Sequence, residues 1–496
     1  MTEANAMSVR NAAAWAIASQ YTAFAVQFVT SVVLTRLFIK PADLGLFSVA
    51  FSAVMLVSFM QEFGVARFIS GERELTPEKI QTAFTISTAF AWGVAVLCLL
   101  AAKPIAMIYD DERLLPLTLV IASSYLLVPL AIVPQALCQR RLDYRSNTMI
   151  EVGAALANAI TSLTMAALGY GAMALAWGAF AQQGARLLIS QWRGGWRLPW
   201  PPRVAGARPV LEIGATNSVL TIGSSMIIRS PELVIGKVIS HAAVGLFSRA
   251  TGLALQLRQL VAGAVGNVFF PAFRRVRDAG EPLGPPYIKV VAAYTGVTWP
   301  AMAGIAVLAR PLVSFLYGPN WTGVAEPLFW IAMAQICYVA APLNTDLPIL
   351  FDRMRGLSVR IVIETVAALA LLAVAARYGL VWVAISRLAH GVLWIAIYIP
   401  FMRSMLGFSW SDLVRVYARS MLATLAAVAP LLVSYALWRG PAEAGIGQAL
   451  AGTFAGILCW LAALALLRHP LLQEVLGVLG ELRDKFLPRK LAQPHP

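Results

Sequence analysis

Six residues in one apolar stretch share a spacing that places them on one side of a helix. Arg249, Gly252, Gln256, Gln259, Gly263 and Asn267 recur at steps of three and four, the repeat of a helical face. Ser218, Ser225, Arg229 and Glu232, with Asn217 beside them, form a second polar row in another apolar stretch. Gln20, Gln27 and Ser31, ending at Arg36, form a third; Arg387 and His390 stand together in a fourth. These residue types suit a particular solute. A guanidinium keeps its charge and pairs two phosphate oxygens at once, while carboxamides both donate to and accept from sugar hydroxyls. The set Arg249, Gln256, Gln259, Arg229, Arg36, Arg387, Gln27 and Asn217 therefore reads as the lining of a wet, cationic chamber. A solute carrying phosphate and many hydroxyls needs such a chamber, because burying unpaired charge in hydrocarbon is very costly.

Several of these residues also have a plainer reading. Arg229 and Glu232 are three apart and can pair with each other. Arg258 lies opposite Arg249 on a helical wheel, so the two cannot face one chamber. Arg36 can snorkel to a membrane surface. His390 reads as a packed or hydrogen-bonded histidine rather than a proton relay. Trp382, Trp394 and Tyr398 read as packing or an interfacial belt rather than a platform for sugars. Acids in the apolar stretches are few: Glu62, Glu151, Glu326, Asp346 and Glu364 lie mostly near ends, and the first stretch has none. Moving negative charge out of a negative interior gains about 2.3 kcal/mol per charge per 100 mV, so transport does not require a cation-binding carboxylate. Energy coupling stays open at this point.

The elements that position these residues follow from composition. The 496 residues are 59% apolar and 13% charged, with mean hydropathy +0.72. Soluble domains carry about 25% charged residues, so the natural solvent here is lipid. About 20 apolar residues cross a bilayer. Fourteen stretches qualify, near 11–35, 44–66, 80–102, 114–137, 147–168, 172–190, 210–235, 242–268, 287–309, 324–345, 359–376, 380–402, 417–438 and 446–467. Each must be a helix, since lipid satisfies no exposed backbone group. With the N-terminus in the cytoplasm, 27 of the 39 Lys and Arg fall on the cytoplasmic side, 8 outside and 4 within spans. Positive charge stays inside, and an even number of spans returns the C-terminus there. The net charge of +15 is thus a topology signal and not a nucleic-acid footprint. Cys98, Cys138, Cys337 and Cys459 read as small buried apolar residues. No metal site is spaced in the sequence, no cofactor is expected, and no loop is long enough for a catalytic domain, which argues for a transporter rather than an enzyme.

A repeat orders the spans. Gly45-Leu46-Phe47-Ser48-Val49-Ala50 recurs as Gly245-Leu246-Phe247-Ser248-Arg249-Ala250, 200 residues on. Both copies open the second span of a six-span half. The expectation is an all-α integral membrane protein of about 14 transmembrane helices, with two six-helix lobes related by a pseudo-two-fold axis along the membrane normal. The boundaries are 1–200 for the first lobe, 201–405 for the second, 406–470 for two additional helices and 471–496 for a cytoplasmic tail. Apolar residues at helical spacing over 471–486 fit either a surface-lying helix or one packed on the bundle.

Short motifs resemble a known family. Leu34-Thr35-Arg36-Leu37-Phe38-Ile39-Lys40-Pro41-Ala42-Asp43-Leu44-Gly45 resembles the LARLLGPEDYG signature of Wzx-type polysaccharide flippases, and Glu62-Phe63-Gly64 resembles that family's DLG. Glu232-Leu233-Val234-Ile235-Gly236-Lys237, Phe270-Pro271-Ala272-Phe273-Arg274-Arg275 and Phe315-Leu316-Tyr317-Gly318-Pro319-Asn320-Trp321 resemble further motifs in order. The resemblance implies membership of the multidrug/oligosaccharidyl-lipid/polysaccharide exporter superfamily and a location in the cell inner membrane. It also implies an undecaprenyl-diphosphate-linked oligosaccharide as substrate, and a lateral opening for the lipid tail between spans 1 and 8. Membrane lipids, a polysaccharide polymerase and export machinery are the expected partners. The family's DRLL arginine is displaced here, in Arg229-Ser230-Pro231-Glu232, so no role transfers to Arg229 by position. A cation-coupled multidrug exporter of the same superfamily is the alternative, opposed by the acid-free first span. A lipid II flippase is opposed by the missing arginine-rich first span, and a membrane-embedded glycosyltransferase or ligase by the missing large outer loop.

Overall fold

The computed structural model describes residues 9–58, 68–69, 72, 74–141, 143–194, 202–203, 208–278, 280–437 and 445–472. Glu62-Phe63-Gly64, most of the 191–209 linker and nearly all of the 471–486 segment lie outside them, as do the side chains of Asn217, Ser218, Gly263 and Asn267. The described helices are α1 Val9–Leu37, α2 Pro41–Ser58, α3 Pro77–Tyr109, α4 Leu114–Ser124, α5 Val128–Arg140, α6 Tyr144–Ala167, α7 Ala172–Gly194, α8 Arg208–Val238 and α9 His241–Asp278. They continue with α10 Gly284–Val307, α11 Ala309–Tyr317, α12 Ala325–Tyr338, α13 Asp346–Leu350, α14 Met354–Ala375, α15 Leu380–Leu406, α16 Trp410–Leu437 and α17 Ile446–Leu466. No strand occurs among the described residues, as hydrocarbon demands of a chain whose helices must close their own hydrogen bonds. Nine helices among the described residues are long and apolar enough to cross a membrane, α4 and α5 counting as one.

Local chemistry sets the ends. Thr76 caps α3, its hydroxyl accepting from Lys79 N at 3.3 Å, with Pro77 in the first turn. Asp143 caps α6 through Ser146 N at 3.1 Å. These side chains satisfy donors the helix itself leaves open. The expected single helix over 114–137 is broken. The amides of 125, 126 and 127 bond three residues back, to Ala122, Ser123 and Ser124, and Pro129 offers no amide. The helix tightens into a short-pitch turn and restarts. The expected stretch over 324–345 likewise ends its helix at Tyr338 and continues as turns into the short α13.

Two compact units emerge. The first comprises Met1–Ser248, Leu316–Trp321 and Ile361–Val383; the second comprises Arg249–Phe315, Thr322–Arg360 and Ala384–Pro496. These units report which helices touch, whereas the 200-residue repeat is a likeness in sequence, so the two divisions need not coincide. In the first unit α6 packs along α7 and carries α1, while α2 rests on α4 and α8. In the second, α10 packs on α12 and α16, and α16 on α17. Thr295, Ser420 and His469 link buried positions there by hydrogen bonds of 2.8 and 3.1 Å. Outward faces are apolar: Val359, Val362, Ile363 and Val366 of α14 are all exposed, as lipid-facing side chains should be. Cys459 shares such an exposed face with Leu458 and Leu461 on α17, a correction to the reading of all four cysteines as buried; the other three are buried.

Candidate functional site

The two copies of the repeat meet in the first unit. The start of α2 crosses the start of α9 so closely that a Cβ on Gly45 would overlap the His241 carbonyl oxygen, and one on Gly245 would overlap the Pro41 carbonyl oxygen. The contacts are reciprocal: residues 41 and 45 answer to 241 and 245 at the repeat's own offset of 200. Only glycine permits this approach of backbone to backbone. One turn on, the Ser48 hydroxyl donates to that of Ser248 at 3.1 Å, again across equivalent positions. A further turn along, the Ser52 hydroxyl donates to the Glu232 carboxylate, which Ser248 also serves. Arg229 completes the group, with Nη1 3.9 Å from Glu232 Oε2 and its guanidinium carbon 5.4 Å from the Phe51 ring centre. Glu232 is 9% exposed. The reading of Arg229 and Glu232 as partners is the one realised.

At the loop end of this seam, charge accumulates. Lys237 pairs with Asp110 at 3.0 Å, and Asp111 binds Arg113 at 2.7 Å while lying 3.8 Å from His241 Nδ1. Arg113 holds the Asp111 carboxyl below the usual range. Burial pushes the His241 imidazole below its ordinary value, against the opposing pull of Asp111. Gln27 and Arg36 of α1 are exposed. Next to Arg36, the Thr35 carbonyl accepts the indole N–H of the buried Trp321 at 2.9 Å. Two segments that carry the family-like motifs are thereby joined.

The second unit holds Arg249, Gln256 and Gln259 on α9 and Arg387 on α15. Arg249, Gln256 and Arg387 are half-buried and Gln259 is exposed. Arg387 lies 5.7 Å from the Tyr338 ring centre. The Tyr338 hydroxyl is 3.1 Å from the Arg387 carbonyl and 2.5 Å from His390 Nδ1. Trp394 meets Tyr338 edge-on at 5.9 Å and lies tilted against Tyr398 at 4.9 Å; Trp394 and Tyr398 are buried and packed, whereas Trp382 is exposed. Arg258 is half-buried. Sequence spacing set Arg387 beside His390 but carried no signal for Tyr338, which lies on α12. Likewise Ser52 and Ser248 give no hint in sequence of a shared carboxylate. No group of three or more metal-ligating side chains occurs among the described residues.

This architecture has relatives among known proteins. A family profile described as "Polysaccharide biosynthesis protein" matches residues 33–326. The lipopolysaccharide biosynthesis protein WzxC of Escherichia coli (strain K12) is 24% identical over 320 residues, covering 64% of each chain; the match thus spans just under two thirds of that relative. The succinoglycan biosynthesis transport protein ExoT of Rhizobium meliloti (strain 1021) is 24% identical over 351 residues, 70% of this chain and 69% of that one. Among solved structures, the inward-closed lipid II flippase MurJ superposes with a TM-score of 0.73 at 12% identity, over 91% of this chain and 98% of that one. At that identity the likeness is one of fold.

Proposed function

The chain is a multi-pass membrane protein that belongs to the polysaccharide biosynthesis protein family, and from that premise we propose that it is a flippase for an undecaprenyl-diphosphate-linked oligosaccharide repeat unit. The observation that carries this reading is the set of half-buried cations and amides, Arg249, Gln256 and Arg387, on two helices that the sequence reads as membrane spans. Such groups are costly in a bilayer and mark a solute pathway. The head group enters from the cytoplasmic leaflet while the prenyl tail stays in lipid. Two six-helix lobes, 1–200 and 201–405, then rock about the seam between repeat copies and release the head outside. Helices over 406–470 bring the spans to fourteen, and both termini lie in the cytoplasm of a cell with the protein in its inner membrane. A polymerase and export machinery take the product. The chain moves its substrate without chemistry.

Deleting the gene should abolish surface polysaccharide and leave the lipid-linked intermediate inside. Re-expression should restore the polymer, whereas the Arg249→Ala protein, present at wild-type level, should not. Normal polymer from the deletion strain would remove the reading. The cation-coupled multidrug exporter remains a second reading because Glu232 is a buried carboxylate. Its partnership with Arg229 and two hydroxyls argues against an open cation site there, and unchanged efflux of fluorescent cations after deletion would set that reading aside.

A further inference from the structure

We propose that the turn between α15 and α16 holds the head group of an anionic glycerophospholipid of the surrounding bilayer, with Arg403 binding its phosphodiester and Trp410 closing the site. The turn lies about four helical turns along α15 from Arg387, and the inference does not depend on the flippase reading. It needs only that α15 and α16 be spans. Both are long and apolar enough to cross a bilayer, so residues 407–409 between them stand at a membrane face.

A cavity of about 220 Å³ opens at this turn, lined by Pro400, Arg403, Ser404, Gly407, Phe408 and Trp410. Its frame is fixed from inside the protein. Gly407 takes the left-handed conformation, at φ 71°, and its amide donates to the Arg403 carbonyl at 2.9 Å, which ends α15. The buried Phe408 ring stacks on the buried Tyr287 at 5.3 Å. Gly284 of α10 lies so near that a Cβ there would stand 3.1 Å from Phe408 Cα. This frame orients Arg403. Its Nε donates to the Phe408 carbonyl at 3.2 Å, and its guanidinium carbon lies 5.2 Å from the centre of the exposed Trp410 ring, within cation–π range. No hydrogen bond or ion pair among the described residues takes up its two terminal nitrogens. A guanidinium held by one edge presents those N–H groups as a pair for phosphate oxygens.

The charge at this end of α15 favours an anion. Arg360 lies 3.9 Å from the Phe401 ring centre, which brings the exposed Arg353 and Arg355 to the same end. Of the acids in these turns, Asp412 pairs with Arg415 at 3.1 Å and Asp352 is exposed. The cationic surplus selects an anionic head group over a zwitterionic one. The surface beside the cavity selects a lipid over a free phosphate. From Trp410 onward, Val414, Ala418, Met421 and Leu425 follow at steps of four and three and are all exposed. They form an apolar stripe along α16, a bed for an acyl chain, and tryptophan suits the boundary between head group and chain.

The test uses the purified full chain, stripped of lipid in detergent, and follows the first bound lipid by native mass spectrometry. The probes are dioleoylphosphatidylglycerol, dioleoylphosphatidylcholine and free glycerol phosphate. Wild type should bind phosphatidylglycerol about ten-fold more tightly than phosphatidylcholine. Arg403→Gln should weaken the first phosphatidylglycerol about ten-fold, the loss expected for a charge-assisted hydrogen bond, and Arg403→Lys should recover part of it. Trp410→Ala should weaken the same event several-fold, and Trp410→Phe less. Arg377→Gln, at an exposed position beyond the other end of α14, should bind as wild type. Unfolding temperatures measured without added lipid separate a lost site from a lost fold, and the lysine variant keeps the test valid if the glutamine variant fails to fold. Equal affinity for the two lipids, or wild-type binding by both Arg403 variants, overturns the site. Competition by free glycerol phosphate at the concentration of the lipid assigns the cavity to a soluble phosphate and overturns the lipid. The flippase reading stands or falls separately, on rescue of surface polysaccharide.

Discussion

The seam in the first unit and the arginine–tyrosine cluster in the second both bury polar groups, but they close their accounts differently. At the seam the polar side chains pair mostly with one another. Ser48 meets Ser248, Ser52 and Ser248 meet Glu232, Glu232 meets Arg229, and glycines let backbone touch backbone. In the cluster the Arg387 guanidinium lies over the face of Tyr338, whose hydroxyl sits between His390 Nδ1 and the Arg387 carbonyl. A carboxylate met by hydroxyls and a guanidinium holds helices in register; a guanidinium set on an aromatic ring is fixed without a carboxylate. Polar residues on membrane helices therefore signal either packing or transport, and the partner decides which.

The contrast can be broken most forcefully at the glycines. Gly45→Val should destabilise the fold by about 3 kcal/mol or more, because its Cβ meets a backbone oxygen that cannot turn away. Thermal unfolding in detergent should show this for Gly245→Val equally, as the reciprocal geometry requires. A mild effect at either site would undo the symmetric seam.

Removing one charge from each region should separate them next. Glu232→Ala strands Arg229 and should cost about 3 kcal/mol, with part of that regained in the Arg229→Gln/Glu232→Gln double variant. Arg258→Gln strands no carboxylate among the described residues and should change stability by no more than about 1 kcal/mol. Equal destabilisation by Glu232→Ala and Arg258→Gln would erase the distinction.

The smallest effect concerns pH at the loop end of the seam. Burial lowers the His241 pKa, so the folded protein resists a proton that the unfolded chain accepts. The neutral imidazole's contribution is fully present above the ordinary value of 6.5 and is lost as pH falls below it. The unfolding temperature should drop by a few degrees between pH values of about 7 and 5, and His241→Asn should flatten that slope. The same slope in the variant would assign it to another group.

Much of this was legible in the residue order. Apolar stretches of span length dictate helices wherever they lie in lipid, because transfer energies act residue by residue. The duplicated Gly-Leu-Phe-Ser segment marked the places that meet, and the three-residue spacing of Arg229 and Glu232 contained their pairing. Arg387 and Gln256 were visible as polar interruptions. What the order of residues left undetermined was the company each polar group keeps. Arg387 was an arginine beside a histidine until α12 supplied the ring of Tyr338. Serines at 52 and 248 were small residues until their packing converged on one carboxylate. Local free energies set the helices; contacts between positions as many as 200 residues apart, which no local energy encodes, determined whether a buried charge is spent on the fold or left for a ligand.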